Sequence, residues 1–321
     1  MEEVAIVAGL SYSLFSFFYL LVYGPLIVAL YRISKTAPSF LIFLSNAVGD
    51  VCALAQYGLF GLAILVDRDL PLMDSVPIKF QYLIHSTLLW TPLQAHYTPV
   101  ALMRACAVLF PYKFDSWFTT KVCTALCAAV WLFCAVFSTA QATMLPAEAL
   151  WTWNRRQLGL YPVNFSAFLQ SSLPRIWDVS NWTLLLLPLS AYAAALTGVL
   201  LSKKNMAALR ESKTERRLAA SCLVNFSFFA FSAFAVGWIG GSRWLLVGYN
   251  LLLLHCCATN GLVLLALATK VRQEFVAAVV KVVNMKKQKT TASKNKVDAT
   301  GKSANTAQRN TPAGATFHSK R

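Results

Sequence analysis

Residues 40–66 read FLIFLSNAVGDVCALAQYGLFGLAILV. The run holds one formal charge, Asp50, among apolar and weakly polar side chains. About 20 residues of this kind cross the ~30 Å of hydrocarbon in a bilayer. No water reaches a backbone at that depth, so its amides and carbonyls must pair within the segment. The stretch therefore predicts a membrane-spanning helix. A carboxylate at the centre of such a helix costs about 2.5–3.5 kcal/mol on an insertion scale, and a charge kept at that cost is a functional candidate by default.

Six more runs share this character: Val4–Tyr31, Lys79–Phe110, Val122–Leu145, Asn181–Leu201, Leu218–Ile239 and Trp244–Ala268. Apart from Lys79, which stands at the outer edge of its run, the only formal charge inside all seven besides Asp50 is Arg104. The chain is 57% hydrophobic and 13% charged. A soluble domain carries about a quarter charged residues, so this chain lacks the charge to cover itself and lipid must do so. The expected fold is all-α, a seven-transmembrane helix bundle over residues 1–269. A short amphipathic helix follows at 270–283, with Val271, Phe275, Val279 and Val282 on one face against the inner leaflet. Residues 284–321, poor in large apolar side chains, predict a disordered basic tail in the cytosol. Met1-Glu2-Glu3 runs straight into an apolar segment without the positive start of a cleavable signal, so the first run is expected to be a retained span.

The net charge of +16 is unevenly placed. With the amino terminus outside, the outer face holds Arg68, Lys79, Arg155, Arg156, Arg175 and Arg243. Every other Lys and Arg except Arg104 falls on the inner face, Lys203, Lys204, Arg210, Lys213, Arg216 and Arg217 in a single loop. By the positive-inside rule this predicts an amino terminus that faces out and a tail that faces the cytosol. An anionic inner leaflet accounts for the basic charge, so membrane lipid is an expected partner and nucleic acid is not. Asn164-Phe-Ser and Asn181-Trp-Thr, in or beside the loop between spans four and five, are candidate glycosylation sites on the outer side. Asn225-Phe-Ser lies inside span six and is expected to stay unmodified.

The eight cysteines all fall within apolar runs, which predicts small apolar packing residues and no clamp between outer loops. No metal-ligand spacing, nucleophile motif or carboxylate pair is visible, so no metal, cofactor or enzymatic activity is expected. Arg104 lies near the inner end of span three, where its stem can snorkel to the interface. It reads either as an interface anchor or as a latch that changes partners when the bundle opens. Asp50 reads as a neutral carboxyl bonded to Ser45, Asn46 or Asn260. Counting back from Arg104 along one helical face gives Tyr97, Leu93, Trp90, Ser86 and Tyr82. The outer three, with His85, Trp238 and Asn250, would line a cavity open to the outside. No Asp or Glu lies at that depth, so the ligand expected is small, neutral and partly apolar.

Arg104 with Pro111 and Phe114 beyond it, Trp131 in span four, Asp50 in Leu44-Ser-Asn-Ala-Val-Gly-Asp50, Pro188 in span five and Asn260-Gly-Leu-Val-Leu264 resemble, in order and spacing, the rhodopsin-like G-protein-coupled receptors. Several positions depart from that pattern. Met103 stands where an acidic residue is usual, Gly261 and Leu264 replace the proline and tyrosine of the seventh helix, and span six lacks a proline and a tryptophan. These departures, Ala107-Val-Leu-Phe-Pro111 with Trp117, and Tyr23-Gly24-Pro25 in span one are similar to the nematode serpentine chemoreceptors, notably serpentine receptor class gamma. The resemblance implies a chemosensory receptor for an odorant-like molecule, with Asp50, Arg104 and Asn260 as its switch and a heterotrimeric G protein as partner. The coupling face would hold Pro111, Lys113, Arg216 and Arg217. In the wider family the Asp50 position binds sodium; here Leu93, Cys256 and Cys257 are the expected neighbours and make poor ligands. The rival reading is a ligand-gated channel or transporter of the same span count. No internal repeat or further intramembrane charge supports it. A retinal receptor is excluded because Trp244–Ala268 contains no lysine for a Schiff base.

Overall fold

The computed structural model describes residues 2–66, 76–201 and 242–281, with positions 224, 227, 230, 231 and 284. The chain is mostly helical. Its elements are α1 (Glu3–Ser34), α2 (Phe40–Val66), α3 (Ile78–His85), α4 (Thr91–Ala95), α5 (Tyr97–Leu109), α6 (Pro111–Trp117) and α7 (Thr120–Met144), then a hairpin of β1 (Trp151–Asn154) and β2 (Gly159–Pro162), and α8 (Phe165–Gln170), α9 (Leu173–Leu201) and α10 (Arg243–Leu267). Among the described residues, α1, α2, α7 and α10 are long and apolar enough to cross a membrane. They suit a membrane-embedded protein. The sixth apolar run lies outside the described residues except for Val224, Ser227, Ala230 and Phe231, which are helical.

The third apolar run departs from a single regular helix. Between α3 and α4, residues Ser86–Trp90 form a π-helical turn in which the Thr91 amide reaches back to the Ser86 carbonyl. Pro92 follows at once. Proline has no amide to give, so the ladder before it loses a rung and a wider turn can close instead. A second interruption falls at His96, three residues before Pro99. The fifth run also differs, since α9 starts at Leu173 rather than at Asn181.

The all-α expectation fails in the stretch between α7 and α9. There β1 and β2 pair antiparallel, Trp151 opposite Pro162 and Asn154 opposite Gly159. The turn is held by the Leu158 amide on the Arg155 carbonyl and the Gln157 amide on Asn154 Oδ1.

The core runs between α1, α2 and α10, filled by Tyr12, Tyr23, Leu26, Leu54, Tyr57, Phe60 and their neighbours. The α1–α2 contact is close because Gly9 and Gly61 face each other, and a Cβ on Gly61 would lie 2.8 Å from the Gly9 carbonyl oxygen. Small residues serve the same purpose between α5 and α9, where Ala101 and Ala105 pack on Ala191 and Ala195. Helices in lipid gain little from hiding apolar surface, so close van der Waals approach through such residues holds them together.

The chain forms two compact units, Met1–Phe275 and Val276–Arg321. The larger one includes the first residues of the helical stretch after α10. Val271 is fully buried there and Phe275 packs against the same core. Glu274 pairs with Arg32 at 3.7 Å, and Lys270 Nζ donates to Thr36 Oγ1 at 3.3 Å. In the smaller unit, residues 276–281 and 284 are helical. The remainder of the expected amphipathic helix and tail lies outside the described residues.

Candidate functional site

Asp50 sits in the middle of α2 with 2% of its surface exposed. Its carboxyl accepts from Asn260 Nδ2 of α10 at 3.2 Å and from Asn46 Nδ2 at 3.4 Å, and shares a hydrogen bond with the Tyr23 hydroxyl of α1 at 2.9 Å. Asn46 and Asn260 are two of the three partners expected from sequence. The third, Ser45, points elsewhere. Cys257 does approach the site, but through its backbone carbonyl.

Tyr23 was not foreseen here. Its hydroxyl also lies 2.6 Å from the Cys257 carbonyl and accepts from the Gly261 amide at 3.0 Å. Residues 257 and 261 are the carbonyl and amide that a regular helix pairs with each other. The tyrosine thus stands at one rung of α10 while holding the carboxyl of α2. It can come so near only because position 261 is glycine, since a Cβ there would meet Leu26 Cδ2 at 2.7 Å and the Tyr23 hydroxyl at 2.9 Å. The hydroxyl has one proton for two acceptors. A protonated Asp50 resolves the shortage, because its own O–H can then donate to the Tyr23 oxygen.

Beside this knot a cavity of about 20 Å³ is bounded by Asp50, Asn46, Asn260, His96 and Tyr97. That is room for about one water, and the walls offer it several polar partners. His96 is itself fixed. Its Nδ1 lies 2.9 Å from the Pro92 carbonyl, which can only accept, so Nδ1 carries the proton. In the neutral ring Nε2 then accepts from the Ser45 hydroxyl at 2.9 Å, and Ser45 in turn accepts from Trp131 Nε1 at 3.0 Å. This chain joins α2, α7 and the α4–α5 break.

Arg104 departs from the snorkelling expectation. It is the largest fully buried side chain among the described residues, 1% exposed, and its guanidinium lies over the Phe43 ring of α2 at 4.6 Å. Pro111 opens α6 and Lys113 follows it, both exposed at the same end of the bundle. Arg216, Arg217 and Trp238 lie outside the described residues.

Of the six residues expected around an open ligand cavity, Trp238 lies outside the described residues, and the other five engage different neighbours. Tyr82 donates to Gln141 Oε1 of α7 at 2.5 Å, and Ser86 bonds Ser138 of α7 at 2.9 Å. His85 is buried with its ring edge-on to Tyr82. Trp90 stacks on Trp177 of α9 at 5.8 Å. The π-helical turn explains the miscount. One extra residue in a turn rotates everything beyond it by about 100° relative to a regular helix. The face counted back from Arg104 therefore swings away at Ser86 and Tyr82, toward α7.

Asn250, the fifth, is fully buried under the hairpin. Its Nδ2 donates to the Leu246 carbonyl at 2.9 Å, and its Oδ1 accepts from the Leu160 amide at 3.5 Å. The hairpin fills the end of the bundle where α1 and α10 begin. Leu158, at its tip, is 1% exposed within the core, and its carbonyl accepts from the Tyr12 hydroxyl at 3.0 Å. Trp153 packs on Phe60 at 4.4 Å and edge-on to Tyr57 at 5.0 Å. Arg243 pairs with Glu2 and donates to the Arg156 carbonyl at 2.7 Å, tying the turn to both helix starts. Leu158 adopts φ 61°. The left-handed region costs a non-glycine residue about 1–2 kcal/mol, so the surrounding contacts must impose it. The signals for this hairpin were present in the alternation of Trp151-Thr152-Trp153 and in Leu158-Gly159.

The two sequons differ. Asn164 is exposed and caps α8, its Oδ1 accepting from the Ser166 and Ala167 amides, which leaves Nδ2 to solvent. Asn181 lies within α9, and its Oδ1 accepts from Gln94 Nε2 of α4 at 2.7 Å. That placement counts against a sugar at Asn181.

No protein-family model matches this chain, and no curated protein matches it either.

Proposed function

We propose that this chain is a seven-transmembrane receptor, chemosensory in role, which senses a small neutral molecule and signals through a heterotrimeric G protein. The observation that carries the reading is the burial of two ionisable residues inside apolar helices. Asp50 ties α1, α2 and α10 together, and Arg104 lies packed against α2 toward the end that bears Pro111 and Lys113. Such residues are costly in a membrane, and a bundle that holds them between helices can repack around them. A ligand signals only by favouring one of two packings over the other. In the active packing Arg104 leaves Phe43, and a cavity rimmed by Lys113, Arg216 and Arg217 receives a helix of the partner. The amino terminus is extracellular in this reading, the tail cytosolic and the membrane the plasma membrane. The order of Arg104, Pro111 and Phe114 with Asp50 and Asn260 supports the rhodopsin-like receptor reading, and Ala107–Pro111 with Trp117 and Tyr23-Gly24-Pro25 support a relationship to the serpentine chemoreceptors.

The test has two parts. A tag at residue 1 should stain on intact cells and one at residue 321 only after permeabilisation. In a screen of neutral odorants against a co-expressed Gα, ligand-dependent nucleotide exchange should appear in the natural chain and fall at least tenfold in Arg104→Gln at equal surface level. Reversed staining, or exchange unchanged by Arg104→Gln, overturns the proposal.

A further inference from the structure

The hairpin does more than roof the bundle. Its tip occupies the space between α1, α2 and α10 with a branched alkyl side chain, Leu158, fully buried. Two polar groups on the walls bond its backbone: the Tyr12 hydroxyl donates to the Leu158 carbonyl at 3.0 Å, with the Val247 carbonyl of α10 a longer second acceptor at 3.5 Å, and the Asn250 side-chain oxygen accepts from the Leu160 amide at 3.5 Å. Gly159 lets the tip seat, because a Cβ there would lie 2.2 Å from Asn250 Nδ2. The backbone at Leu158 is held in a left-handed conformation that the chain would relax once the tip withdrew.

We infer that the hairpin tip is the protein's own occupant of its ligand site, and that an outside ligand acts by replacing it. The inference rests on the receptor reading and gives it a ligand chemistry. Whatever displaces the tip must also satisfy the walls, since a buried donor or acceptor left without a partner weakens binding about ten- to a hundredfold. The ligand must therefore offer an acceptor oxygen to Tyr12, a donor N–H or O–H to Asn250, and a branched alkyl or aromatic body to replace Leu158. It carries no charge, because those wall groups are neutral. Small amides and hydroxy-carbonyl compounds meet these terms; simple hydrocarbons, carboxylates and amines do not.

The tip presents Arg155 and Arg156, so trypsin reports directly on its seating without any G protein. The full chain is reconstituted and cleavage at the Arg155–Arg156 and Arg156–Gln157 bonds followed by mass spectrometry. The seated hairpin should be cut slowly. Gly159→Val should speed cutting at these two bonds by at least tenfold. Tyr12→Phe, which removes only one hydroxyl and should fold normally, should speed it about three- to fivefold. N-isobutylacetamide at millimolar concentration should accelerate cutting of the natural chain, and 4-methyl-2-pentanone, which lacks the N–H, should do so far less. Unchanged cutting in both variants, or equal effects of the two compounds, overturns the inference. Cutting that behaves as expected while no compound drives nucleotide exchange leaves the internal occupant standing and rejects the receptor reading instead.

Discussion

The Asp50 knot and the hairpin-filled end both bury polar groups in an apolar bundle, and they do so with different material. At Asp50 the partners are side chains fixed on three helices, and one hydroxyl serves a carboxyl and a helix rung at once. At the other site, two wall side chains are satisfied by the backbone of a segment that enters from one end. The first arrangement cannot come apart unless helices move. The second can come apart by withdrawal of a hairpin. The difference separates a structural hinge of the bundle from a removable filling.

The comparison is most exposed to a substitution at Gly261. Gly261→Val should drive Tyr23 off its rung and cost about 3 kcal/mol through overpacking and orphaned polar groups. The midpoint of thermal unfolding in detergent should fall on the order of 10 °C, and a fall of a degree or two would show that the knot is slack. Next, Tyr23→Phe should cost about 1–3 kcal/mol, clearly more than Tyr12→Phe at about 1 kcal/mol or less. The reverse order, read from the same melts, would make the hairpin the firmer of the two. The sequons sharpen the matter at the hairpin end. Asn164→Gln should abolish the glycosidase-sensitive mobility shift of protein from eukaryotic cells, and Asn181→Gln should leave it in place. The smallest effect is expected at Gly248, where an added Cβ meets nothing within 4 Å beyond its own helix turn and chain neighbours. Gly248→Ala should stabilise α10 by about 0.5–1 kcal/mol. A loss instead would mean that another surface packs against that position.

What could be read from the sequence follows the range over which each contact is specified. The spanning character of α1, α2, α7 and α10 is written in composition alone. The meeting of Asp50 with Asn46 and Asn260 was legible because each is a polar residue with few other destinations inside an apolar run. Tyr23 was not, since a tyrosine in a span has many apolar roles and only the glycine opposite it marks this one. The face of the third run was misjudged because the count assumed an unbroken 3.6-residue period across Ser86–Trp90. Pro92 was the available warning. The burial of Arg104 escaped because its position near a helix end suggested the interface, whereas Phe43 offers the guanidinium an aromatic face inside the bundle. The hairpin went unread because its strands are short and its stability comes from aromatic contacts with α2.

The alanine seam between α5 and α9 bears on how a disturbance could travel. Ala101, Ala105, Ala191 and Ala195 have no rotamers to change and no long side chains to disengage. Surfaces of this kind do not interlock like cogs; they are smooth. Helices joined along such a seam shift past one another lengthwise more readily than they part, a shear and not a hinge. A push at one end of α9 would then arrive at Arg104, next to Ala105 on the same turn of α5, as a displacement along the helix axis.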